Sequence, residues 1–132
     1  MQTELSVQTY YHREIIDITS KIETLLPTKN GTINIFLQHT TAALTLSDLD
    51  TGTIDDLLMA ITKLTPQAQW NHYHDPTHFP DHLWSSIIGV NLSIPFKHGE
   101  LLLGTSQRVI LVELNGPRER TVILTVQPTL QP

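Results

Sequence analysis

Residues 91–127, NLSIPFKHGELLLGTSQRVILVELNGPRERTVILTVQ, decide the fold of this chain. NLSIPF, ELLLG, RVILVEL and TVILTVQ are short apolar runs separated by turn signals, and each reads as a strand. His98 lies in the KHG turn as an ordinary hairpin residue, and Asn115-Gly116 reads as a second hairpin joining the last two runs. Upstream, Pro80 fits the first turn of a helix PDHLWSSIIG closed by Gly89. Residues 66–82 are rich in Pro, His, Asn and Asp, and a loop of that length inside a small domain is often functional. Before it, DTGTIDDLLMAITKLTP predicts a helix from Thr53 to Leu64, with Ile54, Leu57, Leu58, Ile61 and Leu64 as its apolar set and Pro66 past its end. TINIFLQHT alternates as a strand, with His39 continuing the face of Ile33, Ile35 and Leu37. AALTLSD follows as a short β-like piece. Ile15, Ile18, Ile22, Leu25 and Leu26 predict a helix over 15–26, with Asp17 or Thr19 as cap and Pro27 beyond it. Residues 4–11 alternate weakly, as a strand does. The order predicts an α+β fold with a mainly antiparallel sheet and a few helices, in one domain spanning 1–132.

Composition narrows the function. The chain has 132 residues, a formal net charge of −5 and no cysteine. A mild negative charge argues against nonspecific nucleic-acid binding, which needs cations to neutralise phosphates. The lack of cysteine removes disulfides, thiolate zinc sites and cysteine nucleophiles. MQTELSVQTYYHREIID shows no basic segment followed by an apolar one, and no apolar run approaches a membrane span. The expectation is a cytoplasmic protein without a membrane partner. Charged residues are sparse beside the usual quarter of a globular chain, which is compatible with surface buried in an oligomer.

Histidine carries the chemical signal. Of seven histidines, four (His72, His74, His78 and His82) fall within WNHYHDPTHFPDH. Neutral imidazole is the commonest protein metal ligand, and a catalytic site needs three ligands and an open position. His72 and His74 share a side in extended chain. His78 and His82 would share a helical face, but Pro80 separates them if the helix begins there. His39, His72 or His74, and His82, with Asp48 or Asp75, could supply a site. The alternative is that loop histidines are solvated or cap backbone groups, which is the reading for His12 and His98. In QHTTAALTLSD, His39 lies near Asp48, the raw material of acid–base chemistry, although SDLD is also a good helix start. Arg118 and Arg120, one residue apart beside a turn, could both reach a phosphate or carboxylate. Gly104 could permit close backbone approach. No serine nucleophile elbow, Walker loop or dinucleotide fingerprint is present.

Taken together, LQHTTAALTLSD, W-x-H followed by DHLWSSIIG, NLSIPFKHGELLLGTSQ and NGPRERTV resemble the YjbQ-like family of secondary thiamine-phosphate synthases over about residues 33–127. The resemblance implies a compact homotrimer with metal-associated sites near subunit boundaries. It places the family's three histidines on His39, His72 and His82, with His74 as substitute for His72, and its glutamate on Asp48. Its G-T-W-Q falls on Gly104, Thr105, Ser106 and Gln107, so serine replaces the tryptophan. The implied reaction couples a pyrimidine diphosphate to a thiazole phosphate and releases pyrophosphate. On this expectation His39, His72 and His82 bind a divalent metal, zinc or magnesium. Asp48 orients a histidine or moves a proton, and Gln107 and Arg120 position a small phosphorylated molecule. A non-catalytic trimeric binder of metal or small ligand, or a structural trimer, is the competing expectation.

Overall fold

The computed structural model describes residues 1–130. Eight strands and three α-helices run in the order β1 (Gln2–Gln8), β2 (Glu14–Asp17), α1 (Thr19–Glu23), β3 (Gly31–Leu37), β4 (Ala42–Ser47), α2 (Thr53–Leu64), α3 (Phe79–Ile88), β5 (Asn91–Lys97), β6 (Glu100–Leu101), β7 (Arg108–Glu113) and β8 (Glu119–Pro128). A 3-10 turn, Pro76–His78, leads into α3. All pairings are antiparallel. The strands form two sheets, a five-stranded one ordered β1-β8-β3-β5-β6 and a three-stranded one ordered β2-β7-β4. The α+β, mainly antiparallel expectation therefore holds. Among the described residues no helix is long and apolar enough to cross a membrane.

Three layers result. Between the sheets lies the main core, where Ile33, Ile35 and Leu37 of β3 and Val122, Leu124 and Val126 of β8 meet Leu44 of β4 and Val109 and Leu111 of β7. The outer face of the small sheet presents Ile15, Ala43, Ile110 and Val112, covered by Leu57, Ile61, Trp84 and Ile88 from α2 and α3. This explains RVILVEL. Strand β7 is covered on both faces, so its sequence is continuously apolar rather than alternating. Each fully buried Ile or Leu contributes roughly 1.5–3 kcal/mol.

Local chemistry sets the boundaries. Helix α2 occupies the expected span, Thr53–Leu64, because Gly52 turns the chain at φ 92° and Pro66 cannot continue it. Gly89, at φ 104°, ends α3. Lys97 pairs with Glu100, and His98 and Gly99 both take positive φ between them, the signature of a two-residue hairpin.

Three expectations are corrected. Residues 15–26 do not form one helix, because Glu14–Asp17 pairs with Glu113–Ile110 of β7 and only Thr19–Glu23 is helical. Ile15 and Ile16 are β-branched, and an available strand edge outweighs their helical spacing. Asp17 still serves the helix start, accepting from the Thr19 N–H at 3.0 Å. Asn115-Gly116 does not close a hairpin, since β7 and β8 lie in different sheets and the turn is a crossover. ELLLG is strand only at Glu100–Leu101.

Candidate functional site

The chain crosses between sheets at residues 9–13, 38–41 and 114–118. These crossings are tied to one another. The Thr9 N–H donates to the Arg118 carbonyl at 2.8 Å, Gly116 to His12 at 3.0 Å and Leu114 to Thr41 at 3.1 Å. Gly116 is required here, because a Cβ would sit 2.2 Å from the Tyr11 carbonyl oxygen.

At the centre of this seam Arg120 of β8 meets Glu113 of β7, 2 % and 0 % exposed. Arg120 Nε donates to Glu113 Oε2 at 2.8 Å and Nη2 donates to Oε1. Nη2 also donates to the carbonyl and hydroxyl of Thr41, both at 3.0 Å. Glu113 accepts further from the Thr9 hydroxyl at 2.8 Å and the Asn115 N–H at 3.0 Å. A buried ion pair persists only when its hydrogen bonds are met, and here Glu113 and the Nε and Nη2 of Arg120 all find partners. Burial alone would raise the Glu113 carboxyl, but the Arg120, Asn115 and Thr9 donors outweigh it and hold it below its ordinary value. Arg120 Nη1 has no protein partner, and among the described residues no enclosed side-chain polar atom lacks one, so Nη1 faces open space.

That space is a cavity of about 680 Å³ lined by His39, Thr41, His78, His82, Arg118 and Arg120, among others. Arg118 hooks onto the Asn115 carbonyl through Nε at 2.9 Å. His39 Nε2 accepts the Thr121 N–H at 2.8 Å. Burial, then the Arg120 charge, lowers the His39 pKa and keeps the ring neutral. Two guanidiniums line this cavity, Arg118 and the Glu113-paired Arg120, together with the acidic Glu119, and a guanidinium fork suits a phosphate or carboxylate.

Two of its lining residues, His78 and His82, form a group of three imidazoles with His72. His72, His78 and His82 each offer a nitrogen, all within 4.8 Å of one another. His78 Nδ1 lies 2.9 Å from Asp81 Oδ2, and Arg13 holds the other carboxylate oxygen at 3.3 Å. A carboxylate on one nitrogen fixes the tautomer and turns the other outward, as for metal-binding histidines. Burial and then His78 and His72 lower the His82 pKa, against the Thr40 backbone acceptor and Asp81. His82 is thus a neutral ring with a lone pair to give. His78 and Asn115 also line an adjoining polar cavity of about 560 Å³ with Arg13, Thr62, Gln67 and Asp81.

The expected site residues divide accordingly. His72 and His82 come together, with ring centroids 4.6 Å apart. The third ring with a nitrogen within 4.8 Å is that of His78, while His39 lines the cavity beside His82 without entering the group. The 3-10 turn runs directly into α3, which begins at Phe79 with Pro80 in its first turn, so Pro80 does not separate His78 from His82. His74 takes φ 70° and packs on Tyr73, outside the group. Asp75 caps the 3-10 turn through Thr77. Asp48 is not among the cavity-lining residues, and it accepts from the Asp50 N–H at 3.1 Å and the Thr53 hydroxyl at 3.0 Å, bracing the approach to α2. Gln107 closes a local turn by accepting the Gly104 N–H at 2.8 Å, and its side chain is what a Cβ on Gly104 would meet. Asp81 and Glu113 were missed. Their signal was faint: a lone acid inside an apolar strand, and an acid in a first helical turn that also suits a helix dipole.

The fold and seam define a two-sheet α+β domain with a histidine- and arginine-lined pocket. The family model described as UPF0047 protein YjbQ-like matches residues 3–129, and the chain belongs to that family. A UPF0047 protein of Archaeoglobus fulgidus is 34% identical over 122 residues, 92% of this chain and 97% of that one. The UPF0047 protein YjbQ of Salmonella typhimurium is 35% identical over 89% of this chain and 88% of its own. Among solved structures, a hypothetical protein of Aeropyrum pernix K1 superposes with a TM-score of 0.88 at 33% identity, covering 98% of this chain and 99% of its own. A YjbQ-like protein of unknown function from Sulfolobus solfataricus gives 0.85 at 31% identity, covering 96% and 95%.

Proposed function

We propose that this protein is a metal-dependent enzyme acting on a small phosphorylated substrate. The observation that carries the reading is the shared wall: His78 and His82 belong both to the three-imidazole group and to the cavity holding Arg118 and Arg120. His72, His78 and His82 would hold the metal. Three nitrogen donors favour zinc over magnesium, which prefers oxygen. Zinc–nitrogen bonds of about 2.0–2.1 Å in tetrahedral geometry place ligand atoms roughly 3.4 Å apart, so partly exposed rings must close slightly. A divalent metal there would polarise a phosphoryl oxygen and neutralise a leaving diphosphate. Arg120 Nη1 and Arg118 bind and orient the anionic group, and the Arg13–Asp81–His78 chain holds the ligand ring. Coupling of a pyrimidine diphosphate to a thiazole phosphate, with release of pyrophosphate, fits this chemistry and is the reaction to assay first.

The resemblance supports a homotrimer, and exposed apolar residues such as Phe36, Ile87 and Leu102 provide surface for one. The cytoplasm is the compartment we propose. A non-catalytic binder is the second reading, favoured by the placement of Asp48 away from the cavity. Elemental analysis of purified protein and of His82→Ala tests the first. Zinc near one per chain, lost in the variant, is expected, and unchanged content overturns the ligand set. Metal and phosphate bound with no turnover of any phosphorylated substrate supports the binder.

A further inference from the structure

His39 lines the cavity together with His78 and His82 of the imidazole group, and its hydrogen bonding decides which of the two it serves. A neutral imidazole has one N–H and one lone pair. His39 commits the lone pair at Nε2 to the Thr121 N–H, at 2.8 Å. This bond extends the β3–β8 ladder. Leu37 is the last residue of β3 paired with β8, opposite Val122, and Gln38 N–H reaches the Thr121 carbonyl at 3.3 Å just beyond it. The ring nitrogen then stands where a further strand carbonyl would have stood. Nδ1 therefore carries the proton and makes no hydrogen bond within the protein. To ligate a metal through Nε2, His39 would have to abandon a backbone donor. To ligate through Nδ1, it would have to lose its only proton.

We infer that His39 is a neutral Nδ1–H donor to a phosphoryl oxygen, completing an anion subsite with Arg118 and Arg120, and is not a metal ligand. The inference rests on the proposed phosphorylated ligand but not on the metal. Arg118 and Arg120 line the cavity with His39 and offer guanidinium donors to an anion there, Arg118 free of any carboxylate among the described residues and Arg120 with Nη1 to spare beyond its Glu113 pair. They also oppose protonation of the ring, which would break the Thr121 bond. A neutral donor adds a directed hydrogen bond without a third charge to desolvate.

Two substitutions separate the roles. His39→Gln keeps an acceptor near the Nε2 position and removes the Nδ1 donor. His39→Asn puts an amide N–H near the Nδ1 position. Inorganic phosphate is titrated calorimetrically, and Co²⁺ is titrated by its visible absorption, which reports the ligand set. For His39→Gln we expect a wild-type Co²⁺ spectrum and stoichiometry with phosphate affinity lower by about tenfold or more, the effect of one hydrogen bond to a charged group. His39→Asn is expected to restore most of the phosphate affinity. Loss of the Co²⁺ spectrum in His39→Gln, or wild-type phosphate binding by it, overturns the assignment. His39→Gln carries the test alone if His39→Asn fails to fold. Wild-type protein that binds phosphate but not Co²⁺ removes the proposed metal and leaves His39 to be decided by the phosphate arm. Wild-type protein that binds Co²⁺ but no phosphate overturns the subsite.

Discussion

Glu113 and Arg120 look alike in sequence, since both are charges beside β-strand runs near an exposed-looking turn. The structure shows each of them buried with its hydrogen bonds shared. Removing one partner of a buried pair costs about 3–5 kcal/mol, so Glu113→Gln should unfold at markedly lower denaturant than wild type. The pH dependence follows from the depressed carboxyl of Glu113. An acid whose folded-state pKa lies below its ordinary 4.5 contributes stability that is fully present above 4.5 and lost as pH falls through the folded value. Urea titrations across pH 2–6 should therefore show a steep acid limb in wild type that flattens in Glu113→Gln. Equal slopes in both would assign acid sensitivity elsewhere. Arg118 is the contrasting case, exposed and held by one backbone contact. Arg118→Ala should weaken phosphate binding with little change in stability, and wild-type affinity in that variant would remove Arg118 from the subsite. Pattern reading found Arg118 and Arg120 as a pair, but it could not assign their different uses, because burial depends on which sheet faces them.

At the scale of elements, legibility followed how local each determinant was. Helix α2 was readable because its apolar face, its glycine start and its proline stop lie within a few residues of it. The β7–β8 connection was misread because Asn-Gly signals a tight turn without saying which sheet the next strand joins. The histidine group was half legible. His82 and one of His72 and His74 were readable from the residues, with the resemblance preferring His72, whereas His78 was hidden by treating Pro80 as a helix start that excludes the preceding turn. Proline is tolerated throughout a first turn, where its missing N–H has no partner to lose. Asp48 tests this level directly. Its carboxylate braces the segment leading into α2, so Asp48→Ala should cost about 1 kcal/mol, the ordinary net value of a lost hydrogen bond, and leave Co²⁺ and phosphate binding unchanged. A large loss of either ligand with intact stability would return Asp48 to the site.

For the whole molecule, an α+β fold with mainly antiparallel strands and a few helices was predictable from the sequence pattern, but the division of the strands into two stacked sheets was not. Ligands that bind only the folded form add stability by mass action, roughly 2.7 kcal/mol at one hundred times Kd. Phosphate at about one hundred times the wild-type Kd should raise the melting temperature of wild type clearly more than that of Arg118→Ala; equal shifts in both would place the anion elsewhere. One consequence concerns synthesis of the chain. Thr9 and Glu113 are 104 residues apart, and Thr41 and Arg120 are 79 apart, yet all four share the same hydrogen-bonded knot. A nascent chain emerging from the ribosome holds its first crossing ready long before the strand that locks it exists. The anion cavity is thus complete only when the last strand brings Arg120 to Glu113 and Thr41.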